Sequence, residues 1–335
     1  MNEALPPSTD YPAPPIVYRD RRTGMILFGI GEIALGVLCL LLAAVMVLGQ
    51  AMVSHNTGTP ISLRLIIPSV LFYGIIAIGL ISLGIGSIQC RRWARALLLV
   101  LSWFWLVVGV LSVPMMAWIL PRVLSNPQPG GQQIPQQALI VIVTVQILII
   151  GVFFILVPGA LVLFYRSPHV KSTCETRDPQ PRWTDRCPLP VLAVACLACF
   201  GSAMMLIMAL SGLGVLPFFG MFLSGWSGIA SMIALAVLAL WIGRSWYRLN
   251  PAGWWAVLLI SLVFSISNIL TFARVDIMEM YEKMGYPQEQ LDLMRQYNWM
   301  DGRTVMWMSI LSFVPFLGYL LWTKRYFGRA SADVS

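Results

Sequence analysis

Cysteines aside, Glu32 is the one ionisable side chain well inside an apolar run of this chain. It stands in the stretch Phe28-Gly29-Ile30-Gly31-Glu32-Ile33-Ala34-Leu35-Gly36. A carboxyl in hydrocarbon is costly to keep, which makes it a candidate site for a proton or a cation and, through that, for movement of a small solute. Glycines 29, 31 and 36 would also let another helix come close, so the same carboxyl reads as a protonated or helix-bonded structural group. Transporters usually add a partner charge or polar cluster, and the sequence shows none.

A second set of chemistry-bearing residues is crowded into one polar stretch, 166–188: His169, Cys174, Asp178, Arg182, Trp183, Asp185, Arg186 and Cys187. Two thiolates and an imidazole suit zinc, but a structural zinc site normally wants four such ligands. The spacing H-x4-C-x12-C lacks the second half of a zinc ribbon, and Cys90 or Asp185 would have to supply the fourth ligand. No metal or other cofactor is therefore expected, and the plainer reading is an ordered loop packed on the inner face, offering an interaction site to a protein partner. Cys196-x-x-Cys199 matches a redox spacing only as letters, since it sits in the apolar run AVACLACFG, away from the electropositive, accessible setting that activates thiols. Methionines 278, 280, 284 and 294, with 300, 306 and 308, are soft donors for Cu(I), or else an adaptable surface for lipid or a partner.

Catalytic motifs are absent. The chain has no G-x-x-x-x-G-K-[ST], G-x-S-x-G or H-E-x-x-H, and no paired acidic motif for a metal-dependent transferase. Its two histidines, His55 and His169, fall on opposite sides of the expected bundle. No enzymatic activity is expected.

The elements that would position these residues are membrane spans. Of 335 residues, 58% are hydrophobic and 11% charged, against roughly 25% charged in a soluble domain, whose surface must face water. The apolar residues come in blocks of about 20 or more, enough to cross ~30 Å of hydrocarbon as helix. Helices satisfy every backbone polar group internally, whereas barrel strands would alternate polar and apolar residues. The expected fold is an all-α polytopic transmembrane helix bundle of about eight spans, at 25–50, 65–89, 96–120, 138–165, 189–216, 226–243, 253–273 and 304–323. The first run is too long for a signal-peptide core and is read as a retained span.

Sixteen of the 22 Lys/Arg fall on the side of the termini, including Arg91, Arg92, Arg95, Arg182, Arg186, Lys324 and Arg325. That bias places both termini in the cytoplasm. It also assigns the net charge of +8 to orientation and lipid attraction, so no nucleic-acid partner is expected. Cys90, Cys174 and Cys187 then face a reducing compartment, and Cys39, Cys196 and Cys199 lie inside spans. Tryptophans such as Trp93, Trp118, Trp246, Trp254 and Trp322 sit near span ends, where an amphipathic ring favours the interface.

Read as units, the chain has a disordered proline-rich tail (1–22), a four-span half (23–165), the polar loop (166–188), a second four-span half (189–323) and a short tail (324–335). A faint repeat relates the halves in parallel: Phe28-Gly29 can be laid on Phe200-Gly201, which puts Met204 opposite Glu32, and Cys90–Arg95 corresponds to Trp246–Pro251. Within the second half, 274–302 reads as an amphipathic helical hairpin, broken at Gly285 and Pro287, lying on the outer membrane face or capping the bundle. Pro158-Gly159 and Pro315 are candidate helix kinks.

The run YRSPHVKSTCETRDPQPRWTDRCPLPV, residues 165–191, resembles a segment of uncharacterised bacterial polytopic membrane proteins. The resemblance covers this loop and the spans beside it. It implies a bacterial inner-membrane location and brings no activity, ligand or catalytic residue. The expectation is thus a non-enzymatic membrane scaffold, sensor or accessory subunit that meets partners through the loop or the outer hairpin. The alternatives are a transporter or channel using Glu32, and a metal or redox protein using His169, Cys174 and Cys187.

Overall fold

Backbone groups inside hydrocarbon have no water to bond, so the long apolar runs fold as helices. The computed structural model describes residues 18–57, 63–125, 136–297 and 302–327. Among the described residues, eight segments are long and apolar enough to cross a membrane. The chain is a multi-pass integral membrane protein, an all-α polytopic bundle. Residues 1–17 and 328–335, the tips 58–62, 126–135 and 298–301, and the side chains of Trp118, Arg122 and Arg303 lie outside the described residues.

Spans one to three are α1 (Arg22–Thr57), α2 (Leu63–Ile88) and α3 (Arg92–Ser125). Span four is compound: α4 (Gln136–Gly151), a π-helical turn (Val152–Leu156) and α5 (Val157–Arg166). The polar loop forms α6 (Pro168–Arg177) and a 3-10 turn (Trp183–Arg186). Then come α7 (Leu189–Leu210), α8 (Gly225–Tyr247), α9 (Pro251–Phe272), the short helices α10 (Ile277–Lys283) and α11 (Gln288–Tyr297), and α12 (Gly302–Thr323). With an even number of spans between them, residues 18–21, the polar loop and residues 324–327 share one face, the tail side.

Each half begins with a tightly packed helix pair. In the first, a Cβ on Gly84 would lie 2.6 Å from Gly29 O and 2.7 Å from the Ile33 side chain. Only glycine lets α1 and α2 come this close. In the second, a Cβ on Gly243 would meet Ala195 O at 3.1 Å and Cys199 Sγ at 3.0 Å. Further along the same pairs, Gly36 packs against Ala77 O, and Ser202 Oγ donates to Ala236 O at 2.8 Å. The contacts match in order and spacing, so Gly29 corresponds to Ala195, Ile33 to Cys199 and Gly36 to Ser202. Ala198, not Met204, stands opposite Glu32. Phe28-Gly29 and Phe200-Gly201 therefore do not occupy equivalent positions, and Cys90 corresponds to Leu249 and not to Trp246.

Span five is shorter than expected. Instead of running to 216, α7 stops at Leu210, and Gly212 takes a left-handed φ of 73°. The chain then forms an antiparallel hairpin, β1 (Leu216–Phe218) with β2 (Met221–Leu223). This hairpin is fixed to the end of α9: the Phe219 and Gly220 N–H groups donate to Ser267 Oγ and Thr271 Oγ1, each at 3.0 Å. Below it α10 and α11 break at Gly285 (φ 80°), where the sequence places the break. Ile277 is buried with Val215, Phe222 and Phe272, and Met278, Met280 and Met284 pack against them. These short helices cap the end of the bundle.

Pro158 explains the π-helical turn. It has no N–H to offer the carbonyl four residues back, Phe154 O, so the helix loosens there. The freed carbonyl turns toward Gly109 of α3, where any Cβ would collide with it.

Candidate functional site

Glu32 lies ten residues into α1, about 15 Å along the axis from Arg22 at 1.5 Å per residue. It is 3% exposed. Tyr165 sits at the other end of the site, one residue before α5 terminates, and its ring reaches inward so that the hydroxyl hydrogen-bonds Glu32 Oε1 at 3.0 Å. The same hydroxyl is 2.7 Å from Ser87 Oγ, in the last turn of α2. Ser87 in turn donates to the Met25 carbonyl of α1 at 3.0 Å. Glu32 Oε2 has no hydrogen-bond partner among the described residues. Phe28 seals the cluster from one side, with its ring 4.6 Å from Phe164 and 6.2 Å from Tyr165. Three helices thus bring one carboxyl, two hydroxyls and one carbonyl together in a buried cluster. Sequence reading found Glu32 and missed Tyr165, Ser87 and Met25. A tyrosine one residue from the end of a span was the available signal.

The polar loop lies directly above this cluster as a latch. Met25, fully buried, contacts Cys174 of α6 with its sulfur 3.7 Å from Sγ. Residues just before α1 bind α6 from outside: the Arg19 N–H donates to His169 Nδ1 at 3.3 Å, the Arg21 N–H to Thr173 Oγ1 at 3.1 Å, and Asp20 pairs with Arg177 at 3.2 Å. Residues 18–21, expected as part of a disordered tail, are held here.

Asp178 is the buried pivot of the latch. Arg182 holds it through both carboxylate oxygens, at 2.6 to 3.2 Å. The Arg92 N–H, at the start of α3, donates to Asp178 Oδ2 at 3.3 Å, and Arg91 approaches to 3.9 Å. A carboxylate at a helix start meets unpaired N–H groups and the positive end of the dipole. The Arg182 guanidinium, then the Arg92 N–H, hold the Asp178 carboxyl below the usual range despite its burial. Asp185 caps the 3-10 turn by accepting from the Arg182 N–H at 2.8 Å, and pairs with Arg92 at 3.5 Å. On the far side, Tyr247 of α8 donates its hydroxyl to Trp183 O at 3.0 Å. The latch therefore grips both halves. Trp183 (47% exposed) and Arg186 face outward.

The residues grouped as metal ligands are not brought together. Cys174 is buried with Met25, Cys90 and Val170, whereas Cys187 is buried in a separate cluster with Val191, Leu192 and Trp246. Burial pushes the Cys174 thiol up to about 12 and the Cys187 thiol up to about 11. Both are thiols at neutral pH and poor ligands or nucleophiles. Among the described residues no group of three or more His, Cys, Asp or Glu is placed to hold a metal ion. Cys196 and Cys199 are unpaired on α7. Met300 lies outside the described residues.

No family model, curated protein or solved structure matches the chain.

Proposed function

We propose that the chain is a non-enzymatic sensor, scaffold or accessory subunit of a bacterial inner membrane, with its tail side in the cytoplasm and the latch as its contact surface for a protein partner. One observation carries this reading. A 23-residue polar connection, far longer than two neighbouring spans need, is folded and anchored to both halves while presenting Trp183 and Arg186 outward. Arg186 meets no acceptor among the described residues, and tryptophan and arginine are the side chains most enriched where partners bind tightly. The excess of Lys/Arg on this face supports the orientation.

Transport through Glu32 has less support. Hydroxyls rather than charges surround the carboxyl, and the glycine contact between α1 and α2 one turn away is closed.

The test is purification of the full-length protein from its native membranes in mild detergent. A stoichiometric companion is expected with the natural chain and with Lys171→Ala, a replacement at an exposed residue of α6. It should be lost when Trp183 and Arg186 are both replaced by alanine. Absence of a companion, or one indifferent to the double replacement, would remove the reading.

A further inference from the structure

We infer that Glu32 is a proton-binding site, occupied at neutral pH, in which the bound proton completes a one-way chain of hydrogen bonds from Glu32 through Tyr165 and Ser87 to the Met25 carbonyl. The argument is a count of hydrogens. Three oxygen–oxygen contacts link these groups, at 3.0, 2.7 and 3.0 Å. At such separations each contact needs one hydrogen between its oxygens. The Met25 carbonyl supplies none, and the Tyr165 and Ser87 hydroxyls supply one each. The third must come from the carboxyl.

The direction of the chain follows from its end. Met25 O only accepts, so the single Ser87 hydrogen points there. Ser87 Oγ then accepts from Tyr165, which uses the one Tyr165 hydrogen. Tyr165 Oη can now only accept, and the Glu32 carboxyl must donate to it. If Glu32 were ionised, one of the three contacts would set two oxygens against each other with no hydrogen between them.

A separate observation agrees. Glu32 Oε2 is buried with no donor in reach among the described residues. An ionised carboxylate spreads its charge over both oxygens and calls for several donors, whereas the carbonyl oxygen of a neutral acid tolerates isolation far better. The groups around the chain supply no compensating charge. Tyr165 on α5, Cys90 at the α2–α3 turn and Cys174 on α6 are its titratable neighbours, and Arg95 of α3 interacts with Cys174. No described cation forms an ion pair with Glu32.

The chain ends on a carbonyl, which cannot take up a proton, so it holds and orients the proton instead of conducting it. Alkaline removal of the proton, which leaves to water, deletes one link. Tyr165 leads into the latch and Met25 touches Cys174 of α6, so the latch rests on a packing that the proton completes. Either outcome of the partner experiment is compatible with this protonation state.

The test is infrared spectroscopy of the full-length protein in lipid nanodiscs, isotope-labelled at the glutamate carboxyls. At neutral pH the labelled protein should show the carbonyl stretch of a protonated carboxylic acid, displaced by the label. The band should vanish in Glu32→Gln, whose amide N–H can donate to Tyr165 in place of the acid, and should shift in Tyr165→Phe, which removes its acceptor. If Glu32→Gln does not accumulate, the labelled natural protein decides alone, because the other glutamates lie outside the eight spans. Carboxylate bands only, a band that survives in Glu32→Gln, or a band unmoved by Tyr165→Phe would each overturn the inference.

Discussion

Cys90 and Leu249 close two turns of the same construction, one in each half of the molecule. Both take left-handed backbone angles, φ 55° and 56°. The Cys90 N–H donates to Ser87 O and the Leu249 N–H to Trp246 O, each at 2.8 Å, and the next N–H in each case reaches back five residues, Arg91 to Gly86 O and Asn250 to Ser245 O, each at 2.9 Å. This is the helix-ending pattern that glycine usually serves, here made twice by bulkier residues held by their packing. The halves share this scaffold but not its chemistry. Ser87 and Glu32 of the first half correspond to Trp246 and Ala198 in the second, where Trp246 is fully buried and its ring nitrogen donates to Gly253 O. The second half is a packed core where the first holds a polar chain.

Gly84→Ala should destabilise the first half selectively. The added Cβ would press on Gly29 O, backbone that has no alternative rotamer, so a loss of about 1–3 kcal/mol is expected. Gly79→Ala on the same helix meets nothing within 4 Å and should be neutral or slightly stabilising through helix propensity. Unfolding in detergent, followed by circular dichroism, compares the two.

Much of this architecture is legible in the sequence, and what is not has a common cause. Span positions follow from hydropathy alone, because lipid enforces helix wherever a run is long and apolar. The break at Gly285 and Pro287 is equally local, since those residues limit the backbone on their own. Glu32 stands out by being ionisable, but its partners do not, because Ser87 and Tyr165 reach it from other helices, 55 and 133 positions along the chain. The hairpin at 216–223 escapes because three-residue strands carry too little pattern, and it is fixed by Ser267 and Thr271, far along the chain. Asp178 reads as an ordinary acidic loop residue until the start of α3 is placed beside it.

Asp178→Asn should release the latch. The substitution leaves Arg182 and Arg91 without their carboxylate and weakens a charge-assisted bond to the Arg92 N–H. The side chains of Arg182 and Arg91 are partly solvated (33% and 42% exposed), so the loss is about 1–3 kcal/mol, at the level of one bond to a charged group. Hydrogen exchange over residues 166–188 should rise while exchange within the spans stays unchanged.

The same residue sets a pH dependence. Its carboxyl is held below the usual range in the folded protein, so the unfolded latch binds the proton more readily. The stabilisation is fully present above the ordinary aspartate value of about 4 and is lost as pH falls through the lower folded value. Protease cleavage within the latch should therefore accelerate on acidification below about pH 4. In Asp178→Asn that acid-induced step should shrink, leaving the part carried by Asp20 on Arg177.

Cysteine reactivity gives an independent reading of latch closure. Burial raises the Cys90, Cys174 and Cys187 thiols above the ordinary range, so alkylation of the intact protein at pH near 8 should be slow at all three, since only the thiolate reacts. Asp178→Asn should speed modification of Cys174, whose helix loses its anchor, by tenfold or more if the opening costs drop by about 1.4 kcal/mol. Equal rates in the two proteins, read by mass spectrometry of the modified peptides, would show that α6 does not depend on Asp178.

Gly109→Ala tests the join between α3 and the compound fourth span. Pro158 leaves the Phe154 carbonyl without its helical donor, and that carbonyl is turned onto the Gly109 backbone. The alanine methyl would occupy the space the oxygen now fills, forcing either the π-helical turn or α3 to move. An exposed helix would gain up to about 1 kcal/mol from replacing glycine by alanine, so the sign of the effect separates the two situations. We expect destabilisation of about 1–3 kcal/mol, relieved in part when Pro158 is also replaced by alanine, because the restored N–H draws the Phe154 carbonyl back into its own helix. Thermal unfolding of the two single variants and the double variant closes the cycle, and strict additivity would refute the link between Pro158 and Gly109.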